Sequence, residues 1–405
     1  MTRFLLTWEL GLNLGHLARL LPVAVELKKR GHVVLVAARE LSSAAYALAP
    51  AGISFVQAPF IAHGHPLPHR AAGYSDILRA QGWGDATTLR GLVEGWINLY
   101  RMFRPDVVVA DYSPTAVLAA YMCGLPTLLI GNGFEIPPAT EPLPPFPGFS
   151  WATQSQAASS ESLVVANAVA VARALKGRVI GSLRDLLDPT RAVFATFPAL
   201  DHYGERPGGE YIGPLFGQLP ICKAAWPIRK NAPRLFVCVR PDTGHLSPIL
   251  STFKLLDASV ICVALGFREG ELTPHHAPHV NIYSQAVDLH SIIEGAHLCV
   301  SYGSEGTVAT CLLNGVPSLI SPAQVEAHMA ARRLEALGVA RVLRGEQSPD
   351  SVAGEITSLF HDRAAHEKSM EFRHRCEPLA RKTVERAAAA AEFAIDSRLP
   401  AANRA

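Results

Sequence analysis

Two stretches of the 405-residue sequence combine residue types that can do chemistry. In "TWELGLNLGHLARLLPVAVELKKRGH" (7–32), an apolar run ends at Trp8 and Glu9 follows. A loop with Gly11 and Gly15 then leads to His16, where a helical pattern begins. An imidazole at such a turn can bind a phosphate, take a proton near neutral pH, or cap the helix. In "HLCVSYGSEGTVATCLLNGVPSLISPAQVEAHM" (297–329), an apolar run ends at Tyr302, and Gly303-Ser304-Glu305-Gly306-Thr307 turns into a helix. Glycines let the backbone approach a ligand, and the unpaired N–H groups of a helix start favour a phosphate. Taken alone, this G-x-x-G-T pattern is equally a glycine that only turns the chain. Glu326 falls in the next loop or first helical turn, just beyond Pro322.

The elements around these residues alternate. Short β-rich runs stand at 3–8, 32–38, 54–59, 106–112 and 126–132, with helical stretches between them. Such continuous apolar runs suit a parallel sheet covered on both faces. The Pro-rich segment 135–149 is expected as a long loop and 159–187 as helices, with the linker placed after the Gly/Pro-rich stretch 204–220. The pattern restarts with runs at 234–239, 259–265, 280–284, 297–302, 317–322 and 340–344, and a long helix, roughly 364–396, closes it. The expected fold class is therefore α/β, with two doubly wound domains: 1–220, 221–375, and a segment 376–405 that packs back on the first. In such sheets ligands bind beyond the carboxyl ends of the strands, and a cleft between facing domains is the expected main site.

Composition narrows the function classes. A formal net charge of +2, with scattered basic residues, argues against a nucleic-acid partner. No uninterrupted apolar run reaches membrane-spanning length, and the first residues lack the pattern of a secretory signal. The seven cysteines show no C-x-x-C pair, and several lie inside apolar runs. They are expected as buried reduced thiols of a cytoplasmic protein.

The second stretch resembles the donor-binding segment of bacterial UDP-glycosyltransferases of the two-domain GT-B type. That family shows a His-Gly-Gly-x-Gly-Thr turn, a Gly-Val-Pro, and a Pro followed by an Asp-Gln or Glu-Gln pair. Gly303, Gly306, Thr307, "GVP" at 315–317, Pro322 and Glu326 stand at matching positions. Tyr302 replaces the histidine that contacts the donor diphosphate, Ser304 the second glycine, and Ala327 the glutamine. The resemblance implies a GT-B fold of two Rossmann-like domains facing across a cleft. It also implies a donor site at Tyr302, Gly303, Ser304, Glu305, Gly306, Thr307 and Glu326, with a weaker match at Gln285 in "SQAVDL". Arg240 in "RPDTGH", after the first run of the second domain, is placed to reach the diphosphate or else lies in a plain surface loop. Gly15-His16 matches the glycine-histidine that opens the family's first helix and faces the acceptor, which makes His16 the general base. Asp111, ending "DVVVAD", matches the orienting aspartate; the alternative is that it caps the helix starting near Pro114. Glu9 is a second acid/base or acceptor partner, or else a loop carboxylate bonding backbone N–H groups. Trp8 and Phe134 are expected on the acceptor side.

The expected activity is transfer of a sugar, with inversion, from a UDP- or dTDP-linked donor to a hydroxyl of a small or lipid-like acceptor. The nucleotide sugar is a co-substrate and no cofactor is expected. No Asp-x-Asp occurs, which argues against a metal-bridged donor. "HGHPLPH" (63–69) is expected as an acceptor-side loop rather than a metal site, and His275, His276 and His279 as exposed. Partners are then the acceptor and the sugar nucleotide, with a homodimer compatible. The rivals are a GT-B epimerase acting on a sugar nucleotide alone, and a non-catalytic homologue that binds a nucleotide or a partner. A nicotinamide dehydrogenase fits less well, because "GLNLGH" lacks the full G-x-G-x-x-G.

Overall fold

The computed structural model describes residues 1–11, 14–188, 191–217, 219, 222–268 and 270–396. The chain forms two compact units: Met1–Gln218 with Lys382–Ala405, and Leu219–Arg381.

The first unit runs β1 (Arg3–Trp8), α1 (Gly15–Lys29), β2 (Val33–Ala38), α2 (Leu41–Leu48), β3 (Ser54–Gln57), α3 (Tyr74–Leu78), α4 (Ala86–Phe103), β4 (Val107–Asp111), α5 (Pro114–Cys123), β5 (Thr127–Gly131), α6 (Gln154–Ala174), β6 (Ala192–Phe194) and β7 (Glu210–Tyr211). Its sheet has the order β3-β2-β1-β4-β5-β6-β7, with parallel neighbours throughout. β4 and β5 are buried along their whole length, as strands covered on both faces must be. Helix α1 buries Leu17, Leu20, Leu21, Val23, Ala24 and Leu27, continues through Pro22, and ends with Lys28 and Lys29 at its negative pole.

The second unit repeats the design with β8 (Arg234–Val239), α7 (Leu246–Thr252), β9 (Ser259–Ala264), β10 (Val280–Tyr283), α8 (Leu289–Glu294), β11 (Leu298–Ser301), α9 (Glu305–Leu313), β12 (Ser318–Ile320), α10 (Val325–Leu337), β13 (Ala340–Val342), α11 (Pro349–Phe360) and α12 (Arg363–Cys376). Its order is β10-β9-β8-β11-β12-β13, again parallel. A last helix, α13 (Thr383–Phe393), belongs to the first unit.

Several boundaries differ from the sequence reading. The expected closing helix is broken: α12 ends at Cys376, Pro378 follows, and Lys382 adopts a left-handed φ of 55° before α13 starts. The return to the first unit therefore comes at Lys382 rather than 376. The helical stretch up to Phe103 divides at Gly82, whose φ is 97°. Residues 159–187 hold the end of α6 and only a short 3-10 turn at Leu183–Leu186. Strands β6 and β7, three and two residues long, were too short to show a pattern. The described cysteines are free thiols; Cys238, Cys262, Cys299, Cys311 and Cys376 are buried, whereas Cys123 is exposed. No described helix is long and apolar enough to cross a membrane.

Helix α13 is held by polar contacts and by a small-residue face. Ala387, Ala388 and Ala391 are buried, and the helix packs on α1. Arg386 donates to the carbonyls of Tyr211 and Ile212 at the sheet edge. Glu392 accepts from Arg30 and pairs with His32, both at 2.8 Å. A chain ending at Arg381 uncovers the α1 face and is expected to melt lower by roughly 5 °C or more, read by thermal unfolding. An unchanged melt would show that α13 adds nothing to the first unit.

Candidate active site

Each sheet has one point where the strand order reverses. In the first it lies between β1 and β4, and there Trp8 and Asp111 are in register. Loops leaving such a point diverge and open a crevice at the carboxyl edge of the sheet. His16, in the first turn of α1, stands at this point. Its Nδ1–H donates to Asp111 Oδ1 at 2.9 Å, which leaves Nε2 as the basic nitrogen. Gly11, at φ 79°, lies against Nε2; a Cβ there would overlap that nitrogen.

Trp8, expected on the acceptor side, lies against the His16 ring. It is buried, its Nε1–H donates to the Leu10 carbonyl at 2.7 Å, and its ring stacks on His16 at 5.5 Å between centroids. Trp8 is thus the floor beneath the imidazole. Tyr112 lies on another side, 6.0 Å from the His16 ring, with a left-handed φ of 46°.

The two acidic residues divide the roles that the sequence left open. Helix α5 begins with Ser113 as N-cap, whose side chain does not bond the helix. Glu9 caps it instead, accepting from the N–H groups of Thr115 at 2.9 Å and Ala116 at 3.2 Å. Glu9 therefore corrects the catalytic assignment: it is buried against a helix start, and its second reading holds. Burial pushes its pKa up to about 7, against the hydrogen bonds from Thr115 and Ala116 and the charge of Arg39. Asp111, released from capping, faces His16.

Asp111 Oδ1 accepts a second hydrogen bond, from Arg19 Nη1 at 2.8 Å, and the same Nη1 reaches Glu135 Oε1 at 3.1 Å. Glu135 also accepts from the Asn132 N–H at 2.8 Å. For His16, burial is the largest effect and opposes the charge. The charge and hydrogen bond of Asp111, with the charge of Glu135, outweigh burial and the repulsion of Arg19, so its pKa is raised. Glu135 is lowered: burial acts upward, and the charges of Arg19 and His16 overcome it.

Phe134 is buried in an aromatic group, stacked on Phe146 at 5.7 Å and edge-on to Tyr112 at 6.2 Å. Beside it lies an apolar cavity with about 420 Å³ of empty space, part of it open to solvent. Tyr74, Trp83, Tyr112, Val117, Leu183 and Glu135 are among its walls.

In the second unit the order reverses between β8 and β11, where Cys238 and Ser301 are in register. Arg240 follows β8 and its guanidinium lies 5.7 Å from the centre of the Tyr302 ring, which follows β11. Burial pushes the Tyr302 phenol up to about 12, so it stands as a neutral hydrogen-bond donor. Gly303 has φ 91°, and a Cβ there would come within 3.1 Å of Ile320. At Gly306 a Cβ would meet no described atom within 4 Å, so packing does not require that glycine. Ser304 Oγ donates to Thr307 Oγ1 at 2.9 Å and accepts no cap bond from the helix N–H groups, and Glu305 opens α9. Glu326 lies in the first turn of α10, at the end of neighbouring β12. Gln285 is exposed, beyond edge strand β10, two strands from β8 and so roughly 10 Å farther along the sheet.

Five contributors escaped the sequence reading: Arg19, Glu135, Tyr112, Asp242 and His245. Arg19 had a signal, being three residues after His16 on one helix face and inside an apolar run. Asp242 accepts from Gln324 at 3.1 Å, and His245 bonds Ser321 at 2.9 Å, so the loop after β8 is tied to the loop after β12. Among the other histidines, His202 is buried and edge-on to Phe134 at 5.7 Å; His276 is exposed as expected, whereas His275 and His279 are half-buried, the latter with its Nε2 on the Phe253 carbonyl at 2.7 Å. Among the described residues, His16, Asp111 and Glu135 alone bring three metal-type ligands together, and Arg19 already bonds both carboxylates.

Residues 247–388 match the EryCIII-like family, described as erythromycin biosynthesis protein CIII-like, C-terminal domain. No curated protein matches the chain by sequence. Among solved structures, the glycotransferase of kitacinnamycin is 19% identical with a TM-score of 0.72, covering 98% of this chain and 99% of its own. CalG4, the calicheamicin glycosyltransferase, is 19% identical at a TM-score of 0.70, covering 98% and 99%. The glycosyltransferase VinC in complex with DTDP is 17% identical at 0.68, covering 96% and 100%.

Glu9 yields a test with a definite sign. Its carboxyl titrates about 7 in the fold and near 4.5 when exposed. Between those values the unfolded chain releases a proton that the folded chain keeps, so stability falls as pH rises through this window. Glu9→Gln is expected to remove that slope and to be more stable than the parent at pH ~8, by on the order of 2 kcal/mol. Denaturant unfolding at ~pH 5 and ~pH 8 reads it. A variant weaker at the higher pH would mean that an ionised Glu9 holds the helix.

Proposed function

We propose that this chain, a two-domain α/β protein of the GT-B fold with an EryCIII-like C-terminal segment, is an inverting glycosyltransferase. The second unit carries the residues for a nucleotide diphosphate sugar, and the first carries the base and the acceptor. The observation that supports this most is the His16–Asp111 hydrogen bond at the reversal point of the first sheet, with a glycine beside Nε2.

In this reading Nε2 takes the proton of an acceptor hydroxyl as its oxygen attacks the anomeric carbon. The bond from that carbon to the diphosphate oxygen breaks on the opposite face, which inverts the configuration. Charge that builds on the leaving diphosphate meets Arg240, the Tyr302 hydroxyl and the N–H groups at the start of α9. Asp111 holds the tautomer and balances the imidazolium. The donor base is uracil or thymine; VinC in complex with DTDP supports the latter. The apolar cavity behind Tyr112 and Phe134 suits a small apolar or lipid-like acceptor. No cofactor or metal enters this scheme, and Arg19 supplies the positive charge between the two carboxylates. Cytoplasmic residence belongs to the same proposal, resting on the free buried thiols.

A thermal-shift series with UDP and dTDP is expected to raise the melting temperature with one of them, by about 2.7 kcal/mol of stabilisation at a hundredfold excess over Kd. With the matching donor, transfer to a panel of apolar alcohols and phenols is expected, and His16→Ala is expected to lose roughly 10²–10⁴ in kcat. Gly11→Ala should mimic that loss, since its Cβ falls on Nε2. Isomerised sugar nucleotide without an acceptor would identify an epimerase instead. Tight nucleotide binding with no turnover on any acceptor would identify a binding homologue.

A further inference from the structure

The group around His16 contains one more ion pair than a simple histidine–aspartate couple needs. Four ionisable side chains from three parts of the sheet meet there: His16 and Arg19 from α1, Asp111 from the end of β4, and Glu135 from the loop after β5. Tyr112 is the other titratable group against the ring, and Trp8 and Gly11 complete its surroundings. Asp111 and Glu135 are buried, and the Arg19 side chain is 7% exposed. Interactions among such charges are poorly screened, so their count matters.

With His16 neutral, two carboxylates and one guanidinium leave the group with one net negative charge. With His16 protonated the charges balance. We propose that Arg19 and Glu135 are positioning residues that set this balance: Arg19 lets both carboxylates lie within one buried cluster, and Glu135 supplies the negative charge that only a proton on His16 cancels. The inference rests on His16 as the base and adds what drives it. Without Glu135, Arg19 and Asp111 neutralise each other, and protonating His16 creates an unbalanced buried cation. Glu135 also forms part of the wall of the apolar cavity, so the charge lies where an acceptor would be seated.

The test needs no substrate. Protein carrying isotope-labelled histidine is titrated by NMR, and the His16 signal is the one missing in His16→Ala. Glu135→Gln, close in shape to the parent, is expected to lower the His16 midpoint by about one pH unit or more. Arg19→Lys should keep the midpoint near that of the parent. The decisive variant is Arg19→Met combined with Glu135→Gln. It restores one net negative charge with Asp111 alone, and its midpoint is expected to return toward the parent value. A purely structural role predicts that the double variant is no better than the single one. A His16 midpoint unmoved by Glu135→Gln overturns the proposal, as does a double variant that stays low. If the double variant does not fold, the Glu135→Gln midpoint decides alone. Because this readout is independent of turnover, it also stands apart from failure to find a donor or acceptor. Where transfer is observed, the acid limb of the kcat/KM profile should move with the midpoint.

Discussion

One carboxylate oxygen organises the first unit. Asp111 Oδ1 accepts from both His16 Nδ1–H and Arg19, at 2.9 and 2.8 Å. A fully buried carboxylate is costly unless charged or polar donors face it, and here both come from the first turns of α1. That requirement fixes the helix against the end of β4. It also explains the neighbours. Trp8 supports the ring, Gly11 keeps clear of its far nitrogen, and Glu9 takes over the capping of α5. Had Asp111 capped that helix, as its position one residue before Tyr112 and Ser113 would permit, the imidazole would have lost its partner.

The two units share one architectural device. Each sheet reverses its strand order at a central pair, β1/β4 or β8/β11, and the candidate site residues lie in loops that leave from those strands. In the first unit the exposed N–H groups of α5 are consumed by Glu9, so that helix start offers nothing to an outside anion. In the second, Ser304 turns its hydroxyl to Thr307 and its side chain does not cap the α9 backbone. The first edge is organised around the Asp111 carboxylate, and the second places Arg240 near the Tyr302 ring. A neutral phenol there contributes a hydrogen bond and no charge, and the guanidinium beside it is the nearby cation.

Two buried acids of the first unit lie in opposite environments. Glu9 is an acid whose burial favours the proton, while Glu135 is an acid held ionised by Arg19. Two carboxylates in one unit thus have opposite environments, and the difference is the presence of a guanidinium within hydrogen-bond reach. Helix α13 stabilises the same unit from outside through Arg386 and Glu392, well away from the imidazole in the chain.

The strand–helix alternation, the parallel sheets and the two glycine-bearing strand-to-helix turns were legible in the residues. Apolar runs bounded by Gly and Pro are local signals, and burial on both faces leaves no other use for "VVVAD" or "LFVCV". His16 with Asp111 was legible only as a resemblance, since 95 residues separate them. What tertiary structure alone decided was which acid does what. Glu9 follows β1 and Asp111 ends β4 at one sheet edge, and only the register of β1 on β4 and the placement of α5 send one to the helix and the other to the histidine. Glu135 joins the site from a Pro-rich loop that has no periodicity to read. Short strands such as β7, and the break at Lys382, were likewise invisible, because two residues of extended chain and one left-handed φ are set by packing rather than by local preference.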